Sequence, residues 1–179
     1  TGHGLTSGNV VSITKTAMSS LVEEDPVPTL DSLNTTLLRM NIGLNRMCLN
    51  IANLGKDSIK FSSAGMPPAY YDSAEKGELE EILVGALPLG SLPGAMHMEQ
   101  EISFKSSGDI LVMMSDGLPE AENSEDEMVG YDRTLDTIKS LSDKSAVEIK
   151  DGLVELCNNW LGDDAELKDD MTFVIIKKK

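Results

Sequence analysis

The run Ile110-Leu111-Val112-Met113-Met114 is apolar without a break, and it stops abruptly at Ser115-Asp116-Gly117-Leu118-Pro119-Glu120. Five apolar residues bounded by polar and turn signals suit a strand buried on both faces, a pattern that a short buried helix shares. The Asp-Gly step favours the strand, since this dipeptide marks a turn. A strand of that kind delivers the Asp116 carboxylate at its tip.

A second run, Phe173-Val174-Ile175-Ile176, carries its acids at the other end, in Asp169-Asp170-Met171-Thr172, and three lysines close the chain. If the two runs pair antiparallel, Asp116 at the end of one strand and Asp169 at the start of the other meet at one edge. A hard cation could sit there, because oxygen-only, carboxylate-rich sites suit Mg²⁺ or Mn²⁺, which commonly reach substrate phosphate oxygens. The plain alternative takes Asp116 and Asp169 as turn and strand-cap residues. It accounts for each acid separately but not for their shared edge.

The chain has 179 residues and a net charge of -15, which indicates one domain, residues 1–179, with room for a proper core. The negative charge argues against nucleic acid or an anionic membrane surface as the main partner. Cations and basic protein surfaces remain. Cys48 and Cys157 are the only cysteines, and neither sits in a Cys-x-x-Cys or His-rich setting, so both are expected as small core residues in a reducing cytosol. No apolar stretch approaches the roughly 18 residues of a membrane span, and a signal peptide pattern is missing, so the expected location is the cytoplasm.

Taken in order, Thr1-Gly2-His3-Gly4 runs straight into Leu5, Val10, Ile13, Ala17 and Leu21, a stripe at helical spacing. Gly-His-Gly is either a helix entry or a glycine-rich turn of the kind that holds anions at helix N-termini. So abrupt a start suggests a fragment of something longer. Pro28 suits the first turn of a second helix, whose stripe is Leu30, Leu33, Leu37, Met40 and Leu44.

Short apolar segments follow: a hairpin across Leu54-Gly55-Lys56-Asp57, strands at Tyr70-Tyr71 and Leu79 to Leu83, and a proline- and glycine-punctuated loop from Leu87 to Gly94. This middle region is expected to be a β-meander. Glu122 to Glu127 is expected as a solvated loop. Leu135, Ile138 and Leu141 indicate a short helix, and Ser145-Ala146-Val147-Glu148 is a capping box opening a longer one, with Trp160 in the core.

Gly2-His3-Gly4-Leu5, Ala64-Gly65-Met66-Pro67-Pro68, Pro88-Leu89-Gly90, Gly108-Asp109, Ser115-Asp116-Gly117-x-x-Glu120 and Asp169-Asp170-Met171-Thr172 follow one another in a telling order. Over nearly its whole length the chain resembles the bacterial SpoIIE-type branch of the type 2C metal-dependent serine/threonine phosphatases. The resemblance implies an α+β fold, an antiparallel β-sandwich flanked by helices, with two Mn²⁺ or Mg²⁺ ions at one edge. It implies hydrolysis of phosphoserine or phosphothreonine on a regulatory partner, in this family often an anti-sigma-factor antagonist, by a metal-activated water.

Carried over by position, Asp116 and Asp169 are metal ligands and Asp170 an adjacent or outer-shell candidate, while Thr172 supports the strand start. His3 is suited to proton transfer as a general acid, but its offset differs from that of the catalytic histidine in the eukaryotic branch. Relatives usually have Ala-Gly-His-Pro-Pro where this chain has Met66, a loop-packing difference. The family's upstream metal-binding aspartate and first strands would precede Thr1, leaving the sandwich incomplete at its N-terminus or completed by a neighbouring chain in a homodimer. The competing function is a catalytically inactive partner-binding module, a pseudophosphatase. With two carboxylates in place of a full ligand set, residues 1–179 alone are expected to bind Mn²⁺ weakly and to show little activity; submicromolar affinity by isothermal titration would contradict this.

Overall fold

The computed structural model describes residues 5–21, 25–162 and 165–179; His3 and its flanking glycines lie outside them. The fold is α+β, with two antiparallel sheets and four helices among the described residues. The chain gathers into two compact units, residues 1–66 with 83–103, and residues 67–82 with 104–179. No helix among the described residues is long and apolar enough to cross a membrane.

The first unit opens with the two expected helices, α1 (Leu5–Ser20) and α2 (Pro26–Arg39). Val10, Leu30, Leu33 and Leu37 form its buried cluster, with Ile13, Ala17 and Leu21 packed against them. Helix α2 begins with proline in its first turn, where the missing N–H costs nothing. It ends sooner than its stripe suggests: Asn41 takes a positive φ of 48°, and Leu44 stands 91% exposed beyond it. Past the helix end, periodicity alone cannot keep a leucine in the core.

The expected hairpin forms from β1 (Leu49–Leu54) and β2 (Ser58–Ala64). Two of the motifs meet in this unit. Gly65 lies so close to Pro88 that a Cβ would come within 2.5 Å of the proline ring, and its φ of +70° independently favours glycine. Asn34 of α2 then holds the following loop, accepting from the Gly90 amide at 2.8 Å and donating to the Leu92 carbonyl at 3.0 Å.

The middle of the chain is not a meander. Strands β3 (Ala69–Ser73) and β4 (Glu78–Ile82) pair with each other, but β5 (Gln100–Ser103) returns to β2, giving one sheet of order β1-β2-β5. The other sheet adds β6 (Ile110–Met114) and β7 (Phe173–Lys177) in the order β4-β3-β6-β7. Short strands carry little information about which partner they choose; pairing is decided by cross-strand packing.

In the second unit, β6 is flanked by β3 and β7. Ile110, Val112 and Met114, alternate residues along β6, share a core with Ile138 of α3 (Gly130–Ser140) and with Ile149, Leu153 and Cys157 of α4 (Ala146–Leu161). Helix α4 begins with the expected capping box: Ser145 Oγ accepts from the Glu148 amide, and the Glu148 carboxylate accepts from the Ser145 amide at 2.9 Å. The Ser145 hydroxyl, which donates to the Glu148 carboxylate at 2.7 Å, and then the Ser145 amide lower the Glu148 carboxyl pKa. The Gly108-Asp109 motif is architectural. Asp109 is buried, and its two carboxylate oxygens accept from the Ala74 amide at 3.0 Å and the Ser106 amide at 2.8 Å, which fixes the turn feeding β6.

Asp72, Ile110 and Lys177 share one rung across β3, β6 and β7, which places the acid on the helix-covered face with Ile110. Burial raises the Asp72 carboxyl above its ordinary value, and Lys177 only partly opposes this. A folded-state pKa above the unfolded one means that the folded chain holds the proton more tightly, so stability falls as pH rises through that window. Asp72→Asn is therefore expected to stabilise the protein at neutral pH and to have little effect below the carboxylate range. Denaturant midpoints at about pH 3 and pH 7 check it, and an equal effect at both would contradict the assignment.

Candidate active site

Strands β6 and β7 pair antiparallel in the register Ile110↔Lys177 through Met114↔Phe173. The pairing continues past the strand ends through one side chain. Ser115 donates its amide to the Thr172 carbonyl at 3.0 Å, its hydroxyl donates to the Asp170 carbonyl at 3.0 Å, and the same hydroxyl accepts from the Thr172 amide at 3.0 Å. Serine thus performs the work of a further ladder residue while Asp116 emerges as an exposed acid. Thr172 serves the strand start through its backbone.

Next in line, Gly117 meets the backbone of the opposite segment. A Cβ there would fall 2.5 Å from the Asp170 carbonyl oxygen and 2.9 Å from its carbon. The turn is completed by the Glu120 amide donating to the Asp116 carbonyl at 2.9 Å and by the Gly130 amide donating to Pro119 at 2.8 Å. Leu118 is fully buried in the helix-covered core, anchoring the turn from below.

These elements enclose a cleft of about 190 Å³ whose lining includes Asp116, Glu120, Glu122, Met128, Lys168 and Asp169. The two acids expected at one edge therefore share a cleft. Asp170 is not part of its lining: its carbonyl is engaged by Ser115, and its amide donates to Asp169 Oδ1 at 2.7 Å. Among the described residues, no three His, Cys, Asp or Glu side chains cluster closely enough to hold a metal ion by themselves. The local field is negative: after burial, the Glu120 and Asp116 carboxylates push the Tyr131 phenol pKa up.

Three lining residues escaped the reading of the sequence. Glu120 stood within the motif without a role, while Glu122 and Lys168 form an ion pair across 46 residues of chain. Residues 124–128 are exposed, as expected of a solvated loop, but the loop is organised. The Asn123 side chain accepts from the Glu125 and Glu127 amides, Trp160 Nε1 donates to the Glu127 carbonyl at 2.8 Å, and Arg133 lies 4.2 Å from the Trp160 ring centroid. Trp160 is accordingly half-buried, packing against the core while its ring holds this loop.

The fold, with two antiparallel sheets and four helices among the described residues, is that of the type 2C phosphatase domains. The family model for stage II sporulation protein E matches residues 1–179, and the chain belongs to this SpoIIE family. Among solved structures it is similar to the SiaA-PP2C domain of Pseudomonas aeruginosa, at TM-score 0.81 and 16% identity, covering 99% of this chain and 72% of that one. It is similar to the RsbU and RsbW domains of a Mycobacterium tuberculosis protein at TM-score 0.74 and 21% identity, covering 100% and 51%. The Mn-presoaked phosphatase domain of SpoIIE from Bacillus subtilis aligns at TM-score 0.59 and 20% identity, covering 99% and 76%. Comparison with curated protein sequences returned no significant match.

Replacing Gly117 by alanine must push the backbone around Asp170 away from the turn. Overpacking of this kind typically costs about 1–3 kcal/mol. Gly117→Ala is expected to lower the denaturation midpoint by a corresponding amount; an unchanged midpoint would show that the two segments are not held in contact.

Proposed function

We propose that this chain is the phosphatase domain of a metal-dependent enzyme that removes phosphate from phosphoserine or phosphothreonine on a regulatory partner protein. The observation that carries the reading is the convergence of Asp116 and Asp169, from the ends of two paired strands, on one cleft. Among the described residues, the lining supplies carboxylate oxygens and neither thiol nor imidazole, so its donor chemistry fits a hard divalent cation, Mn²⁺ or Mg²⁺. Bound there, such ions lower the pKa of a coordinated water and neutralise charge on the phosphoryl oxygens.

The chain's own contribution is positional. Asp116 and Asp169 would hold the ions, two being expected in the complete domain, with Asp170 beside them. The Ser115 hydroxyl and the tight approach at Gly117 fix the spacing of the two acid-bearing segments. Preorganisation of this kind matters because a misplaced ligand or nucleophile is costly to rate. His3, the candidate general acid, lies outside the described residues. The RsbU–RsbW neighbour and the family match support a protein partner; the proposed type is a phosphorylated anti-sigma-factor antagonist met in the cytoplasm.

A second reading, a partner-binding pseudophosphatase, draws on the incomplete ligand set among the described residues. Mn²⁺-dependent hydrolysis of p-nitrophenyl phosphate by the full-length protein separates the two. The expected result is turnover that Asp116→Asn or Asp169→Asn lowers by about 100-fold or more, at or beyond what even outer-shell partners of a metal site cost. Turnover untouched by both substitutions rejects the assigned roles. Phosphoprotein binding without turnover favours the second reading.

A further inference from the structure

The cleft contains a cation that the function described so far does not use. Lys168 lines it immediately before Asp169, and its ammonium is paired with Glu122, which lines the same cleft. Its side chain is 70% exposed, whereas that of Glu122 is only 24% exposed. The acid is the fixed member of the pair: its residue bridges to Met128, and the Asn123 turn and the Trp160 hydrogen bond hold the loop that follows. An exposed pair of this kind adds little stability, so folding alone is a weak reason for its position. Among the described residues, every other charged side chain lining the cleft is a carboxylate, which repels a phosphate monoester.

We propose that Lys168 is the positioning residue for the phosphoryl group of the substrate: Glu122 holds its ammonium over the cleft, and an incoming phosphate oxygen takes over that ammonium from Glu122. The inference rests on the phosphatase reading of the same cleft. Lysine suits the role as a point charge on a flexible stem that can exchange one anionic partner for another without being desolvated in between. No bond is made or broken at Lys168; the ammonium keeps its protons and changes only its hydrogen-bond acceptor. The contact is present once the phosphoryl group is bound, before reaction, so its loss weakens binding more than chemistry.

The test uses the full-length protein with Mn²⁺, p-nitrophenyl phosphate as substrate, and inorganic phosphate both as inhibitor and as a directly titrated ligand. Lys168→Ala is expected to raise KM and the phosphate dissociation constant by about five-fold with kcat nearly unchanged, and Lys168→Arg to restore most of the loss. Glu122→Gln, which removes the competing anion, is expected to tighten phosphate binding. The inference is overturned if Lys168→Ala changes phosphate affinity by less than about two-fold, or if it lowers kcat at constant KM. A wild-type protein that binds phosphate through Lys168 but does not turn over sinks the phosphatase reading and leaves this one standing. A wild-type protein that neither binds phosphate nor turns over sinks both.

Discussion

The antiparallel pairing of β6 with β7 is the constraint on which the second unit depends. It sets an apolar strand between two neighbours, presents alternate residues to α3 and α4, and brings an acid leaving one strand beside an acid entering the other. Register is what matters here. A slip of one residue would turn Ile110, Val112 and Met114 away from the helices and separate the Ser115 hydroxyl from the Thr172 amide it now accepts from. The core and the cleft are therefore specified by the same hydrogen-bond ladder, and neither can be displaced without disturbing the other.

The motifs divide between architecture and chemistry. Gly65 against Pro88, and Asp109 capping the Ala74 and Ser106 amides, are demands of backbone geometry; neither side-chain set lines the acidic cleft. Ser115 and Gly117 belong to both kinds, since they serve the acids flanking them by controlling how closely two backbone segments approach. Only Asp116, Glu120 and Asp169 present carboxylates to the cleft from within the motifs.

Much of this was legible in the sequence because the signals were local and strong. Five apolar residues followed by Ser-Asp-Gly identified β6, the Ser145 to Glu148 spacing identified the start of α4, and opposite polarity of the acids predicted the shared edge that β6 and β7 form. The return of β5 to β2 was not legible, because a four-residue strand carries no mark of its partner. The pair Glu122 and Lys168 was hidden for a similar reason: each sits in a polar stretch that on its own suggests solvent, and only the folded chain brings the two together. Met40 and Leu44 continued a helical stripe that the positive φ at Asn41 cuts off.

Trp160 is the chain's single tryptophan. Its indole nitrogen is bonded to the acidic loop at Glu127, its ring lies beneath the Arg133 guanidinium, and the next residue of that loop, Met128, lines the cleft. The indole is thus an optical probe already installed at the rim. Emission from this one fluorophore depends on whether the Glu127 hydrogen bond and the stacked cation stay in place, so ligands that rearrange the rim should register as a change in wavelength or intensity with no label added.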